Sequence, residues 1–426
     1  MFQQFDLAQG VKLYVRPTEQ FKTINISFKW KQQLTEENAA VRSVLANVLQ
    51  YNNDVFQTNA AFRKRLEELY GAVLYFDTGK KGNQHIFSLN AETVNDAYLS
   101  NEKVVDEVVT LLHTVIFKPR LVEGKFVDSI VNREKDQVIE RIQSMYDDKT
   151  RYAQQRLLEN IRPNQAASIM ANGTVKTVKA VTNEQLIAMH NTILTEDDLS
   201  IYIVGDVDVQ EIKEKIDSHF QFADRAEKLT NEAEVTPAMN KRKEFLHEIQ
   251  DMKQGKLHIA YRTPINFFSK EFPIMQMTNG ILGGFSHSKI FMNVREKESM
   301  AYYASSSYSS LYGLIFVYAG IDSNLQEKAV KLIDEQLKAM QQGDITELEI
   351  NQTRSMLTNQ LKEALDSARA QIEIYDQYKE INESFTVENW VAKWSNITKD
   401  QIQQMALNIE KEFVYFLSGK EGADNE

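Results

Sequence analysis

No cysteine occurs in this 426-residue chain. That excludes disulfides, thiolate metal sites and cysteine nucleophiles, and it suits a reducing compartment. Proline is scarce too, with six in all, so long uninterrupted helices are permitted. No uncharged apolar run approaches the roughly 20 residues that span a bilayer. The N-terminus, Met1-Phe2-Gln3-Gln4-Phe5-Asp6, lacks the basic start and apolar core of a signal peptide. A cytoplasmic protein with no membrane partner is the default expectation. Basic patches are missing as well. The formal net charge is −11, and no stretch clusters lysine and arginine with aromatics. Phosphate neutralisation needs a basic face, so nucleic acid is not an expected partner.

What remains is ordinary for a globular protein, at 42% hydrophobic and 26% charged residues. The length exceeds a single compact core and favours several domains. Period-two runs at Val11–Val15 and Ile24–Phe28 predict strands, followed by helices over about Glu36–Tyr51 and Ala60–Tyr70. Further strands are expected around Val73–Phe76 and His85–Leu89. Val104, Val105, Val108, Val109, Leu111 and Leu112 share one helical face. One long helix is predicted from about Lys125 past Arg156. A helix near Thr182–Ile193, the strand Leu199–Val204 and a helix after Asp208 close the first half.

The order then recurs. Val181-Thr182-Asn183-Glu184-Gln185-Leu186 is echoed by Ile397-Thr398-Lys399-Asp400-Gln401-Ile402, and Ile201-Tyr202-Ile203-Val204-Gly205 by Val414-Tyr415-Phe416-Leu417-Ser418-Gly419. Ile86-Phe87-Ser88-Leu89 is likewise mirrored by Ile315-Phe316-Val317-Tyr318. Their common order predicts a duplicated α+β domain, each half a mixed sheet with helices packed against it. The boundaries are read as 1–225 and 244–426, joined by a polar linker at 226–243.

The densest motif is Leu282-Gly283-Gly284-Phe285-Ser286-His287-Ser288-Lys289-Ile290-Phe291, running on into Val294-Arg295-Glu296-Lys297-Glu298-Ser299-Met300-Ala301-Tyr302. Paired glycines end one helix and permit close backbone approach. A short helix then carries Arg295, and Tyr302 opens a strand, so two hydrogen-bond donors can be aimed at one point. The plain alternative is that Arg295 pairs with a nearby acid such as Glu298 and Tyr302 packs.

This segment resembles the pitrilysin/insulinase family of zinc peptidases and their relatives the mitochondrial processing peptidases. Their second domain carries L-G-G-x-x-S-S-R-L-F-x-x-V-R-E-K-x-G-L-A-Y. Phe285, His287, Lys289, Ile290, Ser299 and Met300 depart from it. The resemblance implies that Arg295 and Tyr302 bind a substrate carbonyl and stabilise the oxyanion. In active members an H-x-x-E-H helix in the first domain supplies two zinc-ligating histidines and an acid–base glutamate. Anchored on Leu66-Glu67-Glu68-Leu69-Tyr70-Gly71-Ala72, those positions fall on Ser43, Ala46 and Asn47. None of the three side chains can do that work. Neither H-x-x-E-H nor H-E-x-x-H occurs anywhere.

The counterpart of the family's third ligand, Glu134, reads as a solvated helix charge. His247-Glu248-Ile249-Gln250-Asp251 sits in a strand-like context, and His85, His113, His190, His219 and His258 are dispersed. No metal or other cofactor is therefore expected in this chain. The run Tyr302–Tyr308 has no G-x-S-x-G context and reads as a strand.

In bacterial two-domain members, zinc comes from one subunit and the arginine–tyrosine pair from the other. The resemblance thus implies a non-catalytic subunit of a heterodimeric metallopeptidase. Zinc would lie on a homologous H-x-x-E-H-containing partner, and an extended peptide would be the substrate. A homodimer is also allowed. The alternative is a peptide-binding or scaffolding protein with no proteolytic role.

Overall fold

The computed structural model describes residues 1–50, 53–100, 102–225, 244–381 and 385–419. The linker read at 226–243 lies outside them. The chain divides into two units. Each carries its own mixed sheet.

In unit 1 an unanticipated strand, β1 (Gln3–Ala8), comes first. The period-two runs form β2 (Val11–Pro17) and β3 (Thr23–Gln33), and the strands expected further on are β4 (Val73–Lys81) and β5 (Gln84–Val94). A small hairpin comes next, β6 (Leu121–Val122) with β7 (Lys125–Phe126), and then β8 (Asp198–Gly205). The sheet order is β1-β2-β8-β3-β5-β4. Only the β2–β8 pair is parallel. Every residue of β8 is buried, as expected for a central strand covered on both faces. The helix Glu36–Gln50 packs against β4 and β5 with its alanine, valine and leucine face.

Unit 2 holds β9 (Phe245–Ile249), β10 (Gly255–Arg262), β11 (Ala301–Ser309), β12 (Leu314–Ile321) and β13 (Glu410–Ser418), in the order β11-β12-β10-β13-β9. Here β9 is parallel to β13 and the other pairs are antiparallel. With β10 in the place of β3, β12 of β5, β11 of β4, β13 of β8 and β9 of β2, the order and directions of these five strands are repeated, while β1 has no counterpart among the described residues. The duplication read from weak echoes is thus a repeat of topology. The Thr-x-x-Gln echo has a physical basis as well. Thr182 with Gln185 and Thr398 with Gln401 each form a capping box at the start of a helix that leads into β8 or β13.

The units do not follow the two halves of the sequence strictly. Unit 1 includes Asp366–Asp376, and unit 2 includes Met145–Ser168. In unit 1, buried Asp376 accepts hydrogen bonds from Lys29, Lys31 and the Tyr202 hydroxyl. In unit 2, Ala153, Leu157 and Ile161 pack on Ala260, Leu314 and Phe316 of the second sheet. There Arg162 grips Glu412 through two bonds of 2.6 and 2.9 Å.

That exchange corrects one expectation. The single helix predicted from Lys125 past Arg156 is β7 followed by two helices, Asp128–Asp147 and Lys149–Ile161. Asp148 breaks the run. Its backbone is extended, and its carboxylate accepts from the N–H groups of Thr150 and Arg151, which makes it the N-cap of the second helix.

Candidate functional site

The segment around Arg295 and Tyr302 lies wholly in unit 2. The helix Phe272–Asn279 continues into a wider π-helical turn, Gly280–Gly284, and the chain then straightens at Phe285. The glycines are there for contact. A Cβ on Gly283 would stand 2.7–2.8 Å from atoms of Ser306 on β11, and one on Gly280 would stand 2.5 Å from the Thr353 methyl group. Two side chains of the motif pin the chain beyond the glycines. Lys289 reaches Glu349 at 2.9 Å, and His287 Nε2 lies 2.8 Å from Thr353 Oγ1.

A second π-helical stretch, Phe291–Lys297, carries Arg295. Its guanidinium lies 4.6 Å from the centre of the Phe291 ring and 3.7 Å from Glu296. Glu298 instead faces Lys328 at 3.5 Å, so the simple Arg295–Glu298 pairing does not form. Ser299 then turns with φ +49°, a left-handed conformation that favours glycine. Tyr302 emerges at the start of β11, 66% exposed, with its hydroxyl 3.4 Å from Asp322. Both donors are solvent-accessible and only loosely held.

In unit 1 the helix Glu36–Gln50 presents Ser43, Ala46 and Asn47. Ser43 is fully enclosed, its hydroxyl within 3.1–3.2 Å of Thr78 Oγ1, the Ala171 carbonyl and Asn172 Oδ1. Ala46 is buried. Asn47 accepts a 3.3 Å hydrogen bond from Arg141.

Residues 180–357 match the protein-family model described as "Peptidase M16 inactive domain". A protein of Bacillus subtilis (strain 168) described as "Probable inactive metalloprotease YmfF" is 36% identical over 97% of both chains. This chain belongs to the pitrilysin/insulinase (M16) peptidase family. Among solved structures, a conserved protein from Enterococcus faecalis V583 shares 34% identity with a TM-score of 0.90, covering 98% of this chain and 99% of that one. A Pseudomonas fluorescens structure described as a peptidase M16 inactive domain has a TM-score of 0.78 at 16% identity, covering 98% of each chain, and shows the fold alone. The chain is thus a homologue of M16 peptidases.

The zinc that the family implies does not fit the residues present here. Tetrahedral zinc is held by imidazole, thiolate or carboxylate, whereas these positions offer an enclosed hydroxyl, a methyl group and an amide. Among the described residues, no group of three or more His, Cys, Asp or Glu is placed to hold a metal ion.

Glu134, read from sequence as a solvated charge, is instead 3% exposed and takes a 2.9 Å bond from Arg133 Nε. The side chain of that helix that meets Asn47 is Arg141, seven residues further on. Two turns bring a side chain back to the same helical face, so a shift of the motif by seven would have pointed to it. A guanidinium adds a positive charge where a metal site needs an electron-pair donor.

The histidines have other roles. Arg42 Nε donates to His85 Nδ1 at 3.0 Å, and His85 Nε2 donates to the Ala171 carbonyl at 2.9 Å. Burial, reinforced by Arg42, pushes the His85 imidazole down to about 3. His258 is also pushed down to about 3, by burial and by Lys256. His247 sits on β9, 2.8 Å from Ser418 Oγ, and Glu248 beside it is taken by Arg156, Tyr152 and Tyr415. His190 is buried against the Ile116 carbonyl at 2.7 Å, and His113 stacks on Phe117.

Proposed function

We propose that this chain is the non-catalytic subunit of a cytoplasmic, heterodimeric zinc metallopeptidase. A homologous subunit with an intact H-x-x-E-H motif would hold the zinc. This chain would bring Arg295 and Tyr302 to the carbonyl of an extended peptide. The observation that carries the reading is an asymmetry. The metal-ligand positions of unit 1 hold Ser43, Ala46 and Asn47. The motif of unit 2, in contrast, keeps its glycine contacts, its Lys289–Glu349 anchor and two accessible donors, whose acid contacts are no closer than 3.4–3.7 Å.

Attack on a peptide carbonyl builds negative charge on its oxygen. Fixed donors in a water-poor site stabilise that charge without reorganising, and losing one typically costs on the order of 10²–10³ in turnover. Arg295→Ala and Tyr302→Phe should each slow the mixed complex on that scale, with assembly by gel filtration unchanged. Arg295→Lys should rescue poorly, because a point charge on a flexible stem lacks the planar fork. Turnover within about twofold of the parent for both Arg295→Ala and Tyr302→Phe, far below the loss for an oxyanion donor, would make the pair structural. The scaffolding reading would then stand.

A further inference from the structure

Strand β4 ends its sheet, with β5 on one side and, among the described residues, no strand on the other. In an antiparallel strand, the N–H and C=O of one residue point the same way and alternate residues point oppositely. Leu74, Phe76 and Thr78 therefore share a side. That side is the outer edge, because the side chain of Gln50 bonds it: Gln50 Nε2 donates to the Leu74 carbonyl at 2.9 Å, and the Phe76 N–H donates to Gln50 Oε1 at 2.6 Å. The next outward N–H, that of Thr78, donates to Asp77 Oδ1 at 2.8 Å. A carboxamide has the donor and acceptor of a peptide group. Gln50 thus makes the same pair of bonds that a residue of an added strand would make. Unpaired edges are templates for strand addition, and extended peptides bind sheets in this way.

We propose that Gln50 is a built-in stopper that closes the β4 edge to an incoming peptide strand. Its helix is fixed on β4 and β5 by the buried face that includes Val44, Leu45, Val48 and Leu49, so the amide is delivered to the edge without an ordering cost at the moment of contact. Peptide would have to compete with an intramolecular pair already formed. Any peptide this protein engages in extended form is then taken elsewhere than on β4. The inference stands apart from the two-subunit reading, since its test needs neither a partner nor hydrolysis.

The test is hydrogen–deuterium exchange of the β4 segment in the full chain, with and without an unstructured, proline-free peptide rich in threonine and valine. In the parent, peptide should leave β4 exchange unchanged. Gln50→Ala should speed exchange of the Phe76 amide about fivefold or more, the equivalent of one net hydrogen bond of about 1 kcal/mol. Added peptide should then slow it again. Gln50→Glu keeps an acceptor for Phe76 but loses the donor to Leu74, and should lie between. Unchanged exchange in β3 and β8 serves as the control for intact folding, and Gln50→Leu, close in size, replaces Gln50→Ala if that control fails. Peptide-dependent slowing of β4 in the parent overturns the proposal. So does a Gln50 variant that neither speeds exchange nor responds to peptide.

Discussion

Acidifying the protein from about pH 7.5 to about pH 5 should cost each unit roughly 2 kcal/mol through one histidine, His85 in unit 1 and His258 in unit 2. Both imidazoles are buried and pushed down to about 3. In the unfolded chain each returns to about 6.5. Between those values the unfolded state binds a proton that the folded state refuses, so stability is fully present above about pH 6.5 and falls with acid, at about 1.4 kcal/mol per pH unit per histidine.

The cause at His85 is specific. Its Nδ1 accepts from the Arg42 guanidinium, which also pairs with buried Asp197. A proton on Nδ1 would break that bond and set two cations side by side. His85→Gln offers an amide oxygen to Arg42 and an amide N–H to the Ala171 carbonyl, with nothing to titrate. Urea unfolding at the two pH values, followed by tryptophan fluorescence, should show the unit 1 transition losing about 2 kcal/mol less in His85→Gln than in the parent. An equal acid loss in variant and parent would refute the reasoning.

Ser299→Gly should stabilise the protein by roughly 1 kcal/mol, because the serine is held at φ +49° where only glycine is unstrained; the urea midpoint at constant slope reads this. Arg42→Met should destabilise unit 1 by about 3–5 kcal/mol, since it leaves the Asp197 carboxylate buried without its cation, and calorimetry would show it. Protein purified without chelator should carry no stoichiometric zinc by elemental analysis. Converting Ser43, Ala46 and Asn47 together to His, Glu and His should not bring it to one per chain while Arg141 occupies the facing position.

The strands were legible wherever an alternating or fully buried pattern marked them, as in β2, β3 and β8. The repeat was legible because a capping box needs particular residues at a fixed spacing, so Thr182–Gln185 and Thr398–Gln401 kept a visible likeness. Long-range choices left no local mark. Nothing in Lys149–Ile161 announces which sheet it joins, and Asp148 resembles any other polar residue in a charged stretch until its bonds to Thr150 and Arg151 are known. Burial of Glu134 was hidden too, because its adjacent partner Arg133 does not reveal which face of the helix becomes covered. The local course of the chain from Gly283 to Tyr302, a turn, a helical stretch and then a strand, was legible because glycines under close contact tolerate no side chain. Gln50 was invisible because its role depends on which strand ends the sheet.

The most direct test of the two-subunit reading is to titrate this chain into a fixed amount of a homologue that carries an intact H-x-x-E-H motif, while following cleavage of an unstructured peptide. Complementation predicts negligible cleavage by either protein alone, and a rate that rises with added chain and saturates at equimolar amounts. Equal activity of the homologue alone at every concentration would contradict it.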